Sequence, residues 1–231
     1  MPKSTGEMVL QQITRAELAK QTSRGAEEVP LSESDTILAI SRQLGSGGKQ
    51  IAELVAQRLG WSLWDRDLVE AIAEDANVAT RVVEHFDEKT VTELDALAHA
   101  LAGDYEVSGF LFRRHLARAL LAISKIGHAV IIGRGANLIL RDSLSVRIVA
   151  SREFRINMLR KRGLTPDQAR EEIRRSDNER AGFVRKTFGR DIDDPTDYDL
   201  VVRTDDFGVE GAASLVIAAI RLRSQQRQPT R

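Results

Sequence analysis

Gly45-Ser46-Gly47-Gly48-Lys49 is a stretch whose residue types could do chemistry. The apolar run Ile37–Ser41 feeds it, and an amphipathic pattern over Lys49–Leu59 starts at once, with Ile51, Leu54, Val55 and Leu59 on one face. Strand, glycine loop and helix start in succession put backbone N–H groups where they can cradle a phosphate. Only the second half of the pattern G-x-x-x-x-G-K-[ST] is satisfied. Gly48-Lys49 supply the G-K step, but Gln43 stands at the first glycine and Gln50 at the Ser/Thr position. Lys49 could reach the β- and γ-phosphates of a nucleotide; the competing reading is a glycine-rich turn with a solvated lysine. Gln50 counts against a magnesium corner, because an amide oxygen is a poor ligand for a hard cation. Ser46 is the substitute ligand.

Other charged residues sit at the ends of apolar runs. Asp65 and Asp67 flank Arg66 after Trp61–Trp64. Either carboxylate could bind substrate or hold a metal through water, or cap the next helix; the cap is the preferred reading for Asp67. Arg134 lies between two glycines directly after Ala129–Ile132, so its planar fork points over a sheet edge where an anion would bind. Arg113, Arg114 and Arg118 share a Leu- and Ala-rich helix, where such spacing usually makes a solvated face. Arg174, Asp177 and Arg180 recur at helical i, i+3 spacing, and Arg185, Lys186 and Arg190 extend that cationic density. These are either a solvated, pair-stabilised helix or mobile cations able to close over developing charge. Histidines 85, 99, 115 and 128 show no metal spacing.

The elements that must position these groups alternate. Strands are predicted at Ile37–Ser41, Trp61–Trp64, Ala129–Ile132, Val146–Ala150 and Leu200–Arg203. Helices are predicted at Lys49–Leu59, Leu68–Asp75, 79–126 with a break near Gly103, Ser151–Arg162, Thr165–Lys186 and Gly208–Arg223. Short apolar strands alternating with helices predict a parallel sheet covered on both faces, with ligands beyond the carboxyl ends of the strands. The domain is expected over 36–225, after a polar extension at 1–35 containing a short helix and before a frayed tail at 226–231. Lys+Arg and Asp+Glu balance at 34 each, so bulk charge predicts neither a nucleic-acid nor an anionic-membrane partner. The chain has no cysteine, which excludes disulfides, thiolate metal sites and a cysteine nucleophile. Without an apolar secretory core or a run near the roughly 20 residues of a membrane span, it is read as soluble and cytoplasmic.

Five separated segments, ISRQLGSGGKQIA, LWDRDLVEAIAEDANV, AVIIGRGANLIL, SDNER and YDLVVRTDDFG, together resemble the cytidylate kinase-like proteins over 36–222. These are a divergent branch of the P-loop nucleoside monophosphate kinases. The resemblance implies a three-layer α/β P-loop kinase fold with a parallel five-stranded sheet, a helical substrate-binding insert and a helical lid. It implies ATP and Mg²⁺ as cofactors and nucleotides as partners. Gly45, Ser46, Gly47, Gly48, Lys49 and Gln50 would then bind the donor phosphates. Asp65, Arg113, Arg134, Asp177 and Arg180 would bind the acceptor, with Lys49, Arg134, Arg180 and Arg185 catalytic and Arg174 and Arg190 further lid candidates. Gly135 departs from the pattern, since true cytidylate kinases carry there an aspartate that helps read the nucleotide.

The expected activity is transfer of the γ-phosphoryl of ATP to a nucleoside monophosphate, CMP or dCMP being favoured. The alternatives are a nucleotide-binding regulatory module without catalysis and a kinase for another small acceptor.

Overall fold

The computed structural model describes residues 4–23, 36–74, 78, 79, 82, 84–102 and 107–227, with the backbone alone for 23, 102, 107–110 and 227. Five strands, β1 (Ile37–Arg42), β2 (Ser62–Trp64), β3 (Ala129–Ile132), β4 (Leu144–Val149) and β5 (Leu200–Arg203), form one sheet in the order β2-β3-β1-β4-β5. Every pairing is parallel; Ile40 lies beside Ile132 on one side and Val146 on the other. The central position of β1 explains its continuous apolar sequence, because both of its faces are buried.

Strand periodicity divides the core into two layers. Ile37 and Ala39 of β1, with Trp64 and Ile131, point to one face. There they meet α1 (Thr5–Ser23), α3 (Arg66–Glu74), α4 (Glu88–Ala102), α5 (Val107–Ile126) and α6 (Ala136–Ile139). Leu38 and Ile40 point the other way, with Val130, Ile132, Val146 and Ile148, against α2 (Gly48–Leu59) and α9 (Thr204–Arg227). Two further helices, α7 (Arg152–Arg160) and α8 (Pro166–Phe188), share a small cluster of Leu159, Ala169 and Ile173.

The strand expectations hold to within two residues at each end. The helical stretch 79–126 is interrupted earlier than its pattern predicts. Residues 84–87 form a turn, and Asp87 Oδ1 accepts from Thr90 N at 2.7 Å, capping α4. The expected break near Gly103 lies outside the described residues. α8 starts where its sequence says it should: Thr165 and Gln168 form a reciprocal capping box, with Pro166 in the first turn.

The N-terminal helix α1 docks on the sheet. Val9, Ile13 and Ala16 follow its inner face and are at most 1% exposed. Gln12 Oε1 accepts from Leu63 N at 2.8 Å, satisfying an edge amide of β2. Its Lys20 also acts on His128, which is buried at the start of β3 with the Trp61 ring edge-on at 5.9 Å. Burial first, and Lys20 second, hold the His128 imidazole below the usual histidine range. The folded state thus resists a proton that the unfolded chain accepts. This site costs no stability above the ordinary histidine range, and stability falls as pH drops through that range toward the depressed folded value. His128→Asn keeps a polar residue that tolerates the left-handed φ of 49° at this position. It should flatten the difference in denaturant-derived stability between pH 7.5 and 5.5; an unchanged slope would refute this.

Candidate functional site

The carboxyl ends of β1 and β3 open on a chamber of about 340 Å³. Its walls include Arg42, Lys49, Asp65, Arg66, Arg134 and Arg180. The glycine loop forms one rim. Gly47 caps α2 without a side-chain hydrogen bond, and no acidic residue occupies the first turn of that helix. Its orphan amides and dipole therefore favour an anion. Lys49 stands beside them, largely exposed, with Glu53 at 4.0 Å.

Arg42 is the residue that sequence reasoning passed over. It ends β1, and its side chain threads between two glycines. A Cβ on Gly48 would lie 2.5 Å from Arg42 Cβ, and one on Gly133 would lie 2.5 Å from Arg42 Nη1. Those two glycines leave the path by which its guanidinium reaches the chamber. Burial, reinforced by repulsion from Arg180, Arg66 and Arg134, lowers the Arg42 pKa to about 10. Arg134 and Arg180 are likewise lowered, by burial first. Guanidinium groups gathered this closely in a partly dry space are poised for an anion. The available signal was the position of Arg42, in phase with buried Leu38 and Ile40 yet charged.

Arg134 is held on several sides. Its backbone is left-handed, with φ 57°. Its Nη2 pairs with Glu70 of α3, and its guanidinium lies 4.7 Å from the Phe183 ring centroid of α8. Arg180 Nη1 and Arg134 Nε are buried without a protein hydrogen-bond partner. Asp65 combines the two readings open to it: Oδ1 accepts from Leu68 N at 3.2 Å, capping α3, and the residue lines the chamber. Asp67, preferred as the cap from sequence, lies instead in the first turn of α3 and accepts from Arg66 Nε at 3.1 Å.

Neither candidate metal ligand lines the chamber. Ser46 is fully buried and its Oγ donates to Gln43 O at 2.9 Å. Gln50, with its amide turned to satisfy both neighbours, donates to Gly47 O at 3.2 Å and accepts from Arg162 Nη2 at 3.0 Å. The loop side chains at 46 and 50 thus do not fit a directly ligated Mg²⁺. No group of three or more histidines or carboxylates suited to a metal occurs among the described residues.

Other expected site residues are placed elsewhere. Asp177 lies less than one turn before Arg180 but is paired with Arg155 of α7 at 2.6 Å. Arg113 lines a neighbouring cavity of about 350 Å³ with Asn137, Arg141, Phe188, Arg190 and Asp197. Its guanidinium is 5.9 Å from the Phe188 ring centroid. Arg185 is exposed near the end of α8, Arg174 pairs with Glu171 at 2.7 Å, and Arg190 reaches Asp197 at 3.8 Å. Arg118 does not form a merely solvated face, since it binds Asp95 at 2.8 Å and pins α4 to α5. Arg147 is another buried arginine that sequence reasoning missed. It donates to Ser41 Oγ at 2.8 Å and Asp193 Oδ1 at 2.6 Å, tying β4 to the loop before β5.

Sheet order and the glycine loop together define an α/β protein with a P-loop, kinase-like fold. The chain belongs to the cytidylate kinase-like family, whose model matches residues 37–206. It is similar to a crystal structure of an uncharacterized protein from Eubacterium ventriosum ATCC 27560. The two share 24% identity over 81% of this chain and 98% of that chain, with a TM-score of 0.63. Weaker likenesses are to shikimate kinase from Bacteroides thetaiotaomicron (17% identity, 80% and 97% covered, TM-score 0.42). A third is to TT1252 from Thermus thermophilus (19%, 79% and 96%, TM-score 0.42). No curated protein matches the chain. No helix among the described residues is long and apolar enough to cross a membrane.

Proposed function

We propose that this protein transfers the γ-phosphoryl group of ATP to a nucleoside monophosphate, with CMP or dCMP the favoured acceptor. The observation that carries the reading is the meeting of Arg42, Arg134 and Arg180 in one chamber beside the glycine loop and Lys49. In this reading Gly45–Gly48 and Lys49 hold the donor phosphates, and the three arginines hold the acceptor phosphate. The bond from Pγ to the β,γ-bridging oxygen breaks as an acceptor phosphate oxygen bonds to Pγ, leaving ADP and a nucleoside diphosphate. No general base is needed, because that oxygen is already anionic at neutral pH. Positioning and charge neutralisation dominate. No step of this reading is assigned to Mg²⁺, because the side chains of Ser46 and Gln50 do not fit it as direct ligands.

Acceptor selectivity in this chain has to come from somewhere other than residue 135. The Phe188 ring fills the space into which a side chain at Gly135 would project. The cavity shared by Arg113, Asn137 and Asp197 gives room for the nucleoside part, and its walls would set the preference.

The test is coupled detection of ADP with ATP and each nucleoside monophosphate. CMP or dCMP should be the best acceptor, and Lys49→Ala should lower kcat/KM by about a hundredfold or more, as loss of a charge aimed at the transferring group does. Unchanged turnover in that variant would sink the assignment. A second reading, a nucleotide-binding module without catalysis, is favoured by the engagement of both Ser46 and Gln50. ATP binding with no transfer to any acceptor in a broad screen would select it. Transfer to an acceptor that is not a nucleotide would instead keep the kinase and change its substrate.

A further inference from the structure

We infer that Arg155 is a positioning residue that ties the glycine loop to α8, and that Asp177 serves this tie rather than the acceptor. Arg155 sits in α7 with its side chain only 6% exposed. Its Nε donates to the carbonyl of Leu44, inside the loop, at 2.6 Å. Its Nη2 donates to both carboxylate oxygens of Asp177 on α8, at 2.6 and 2.8 Å. One buried guanidinium therefore holds a loop carbonyl and a helix carboxylate at once. Charge-assisted bonds of this kind are short and directional, so neither end can shift far without stranding a buried charge.

Two independent contacts reinforce the tie. The Leu44 side chain packs against the Leu159, Ala169 and Ile173 cluster between α7 and α8. The next residue has no side chain, and a Cβ on Gly45 would meet Arg155 O at 2.7 Å. The peptide between Leu44 and Gly45 is thus fixed by its carbonyl, by the side chain before it and by the main chain pressed against it. Rotation of that peptide sets where the Gly45 N–H points. At the other end, Asp177 precedes Arg180 by less than one helical turn, so a shift of α8 at Asp177 moves Arg180 in the chamber. Loop geometry and Arg180 placement become one mechanical variable. A ligand that orders the loop favours the placed Arg180, and by linkage an anion on Arg180 favours the ordered loop.

The effect on ATP binding rests on the reading of the loop as the donor site; the link itself does not. Asp177→Asn keeps the shape and removes the charge, while Arg155→Lys keeps the charge but cannot span both partners. Hydrogen exchange of the ligand-free full chain should become faster both at 43–48 and along α8 in each variant, with α9 unchanged. Calorimetric ATP binding should weaken by about tenfold, the scale set by loss of a charged hydrogen bond. The enhancement of ATP binding by CMP should shrink in step. Faster exchange confined to α8, with loop exchange and ATP affinity as in the wild type, would overturn the inference and leave Asp177 a local helix partner. If loop and α8 loosen together but no form of the protein binds ATP, the link stands and the donor-site reading falls.

Discussion

Arg134→Ala is expected to lower kcat/KM for phosphoryl transfer by about a thousandfold, toward the upper range for removing one preorganised charged donor from a dry site. Three features make the effect large. The side chain is 14% exposed, so water replaces the lost charge poorly. Its Nε has no protein partner to retain it elsewhere. Its pairing with Glu70 and its stacking on Phe183 fix the fork between α3 and α8, so the geometry is set before ligand arrives. Arg134→Lys separates charge from geometry. Lysine keeps the positive charge but cannot present two parallel donors, so it should recover only part of the loss. Steady-state kinetics with thermal melts as a folding control decide it. A folded Arg134→Ala protein with wild-type kcat/KM would remove Arg134 from the acceptor site.

The largest stability effect is expected at Gly135. A Cβ there would collide with the Phe188 ring, and the backbone holds φ at 64°, a conformation that L side chains rarely adopt. Strain and overpacking together should make Gly135→Ala cost about 3 kcal/mol. For a chain of this size that is a fall in Tm of about 6–12 °C. Phe188 cannot simply move aside, because its ring packs edge-on against Phe183, 6.0 Å away, which in turn supports Arg134. The double variant Gly135→Ala/Phe188→Ala should therefore lose less than the sum of its single changes. Scanning calorimetry of the four proteins checks this, and a Gly135→Ala melt within a degree of wild type would contradict it. The same collision means that the packing around Phe188 leaves no room for a side chain at the position where the family resemblance expects an aspartate.

Much of the architecture was legible from local pattern. Ala129–Ile132 read directly as a strand, because a parallel strand buried on both faces demands an unbroken apolar run. Leu200–Arg203 read as one from its β-branched residues, although as the edge strand it buries only Val202 fully. The end of α8 was marked less well than its start. The capping box at Thr165 is a spacing of residue types, whereas the helix runs on to Phe188 until Gly189 turns left-handed. The turn at 84–87 was missed because a helical hydrophobic pattern continues across it, and Asp87 alone marks the restart.

For the site, the sequence by itself determined that a glycine loop with a lysine follows the first strand and that an arginine between glycines follows the third. Both sit at strand ends, and the parallel sheet brings strand ends together without further information. Only the tertiary structure decided which distant charges join them. Arg42 enters the chamber through gaps left by Gly48 and Gly133, residues far apart in the chain. Asp177, read beside Arg180 as an acceptor ligand, is claimed by Arg155, because the packing of α7 on α8 puts a buried guanidinium within reach. Helical spacing places charges on a face; which partner a buried charge takes is decided by what the neighbouring element offers, because a charge out of water must be paired.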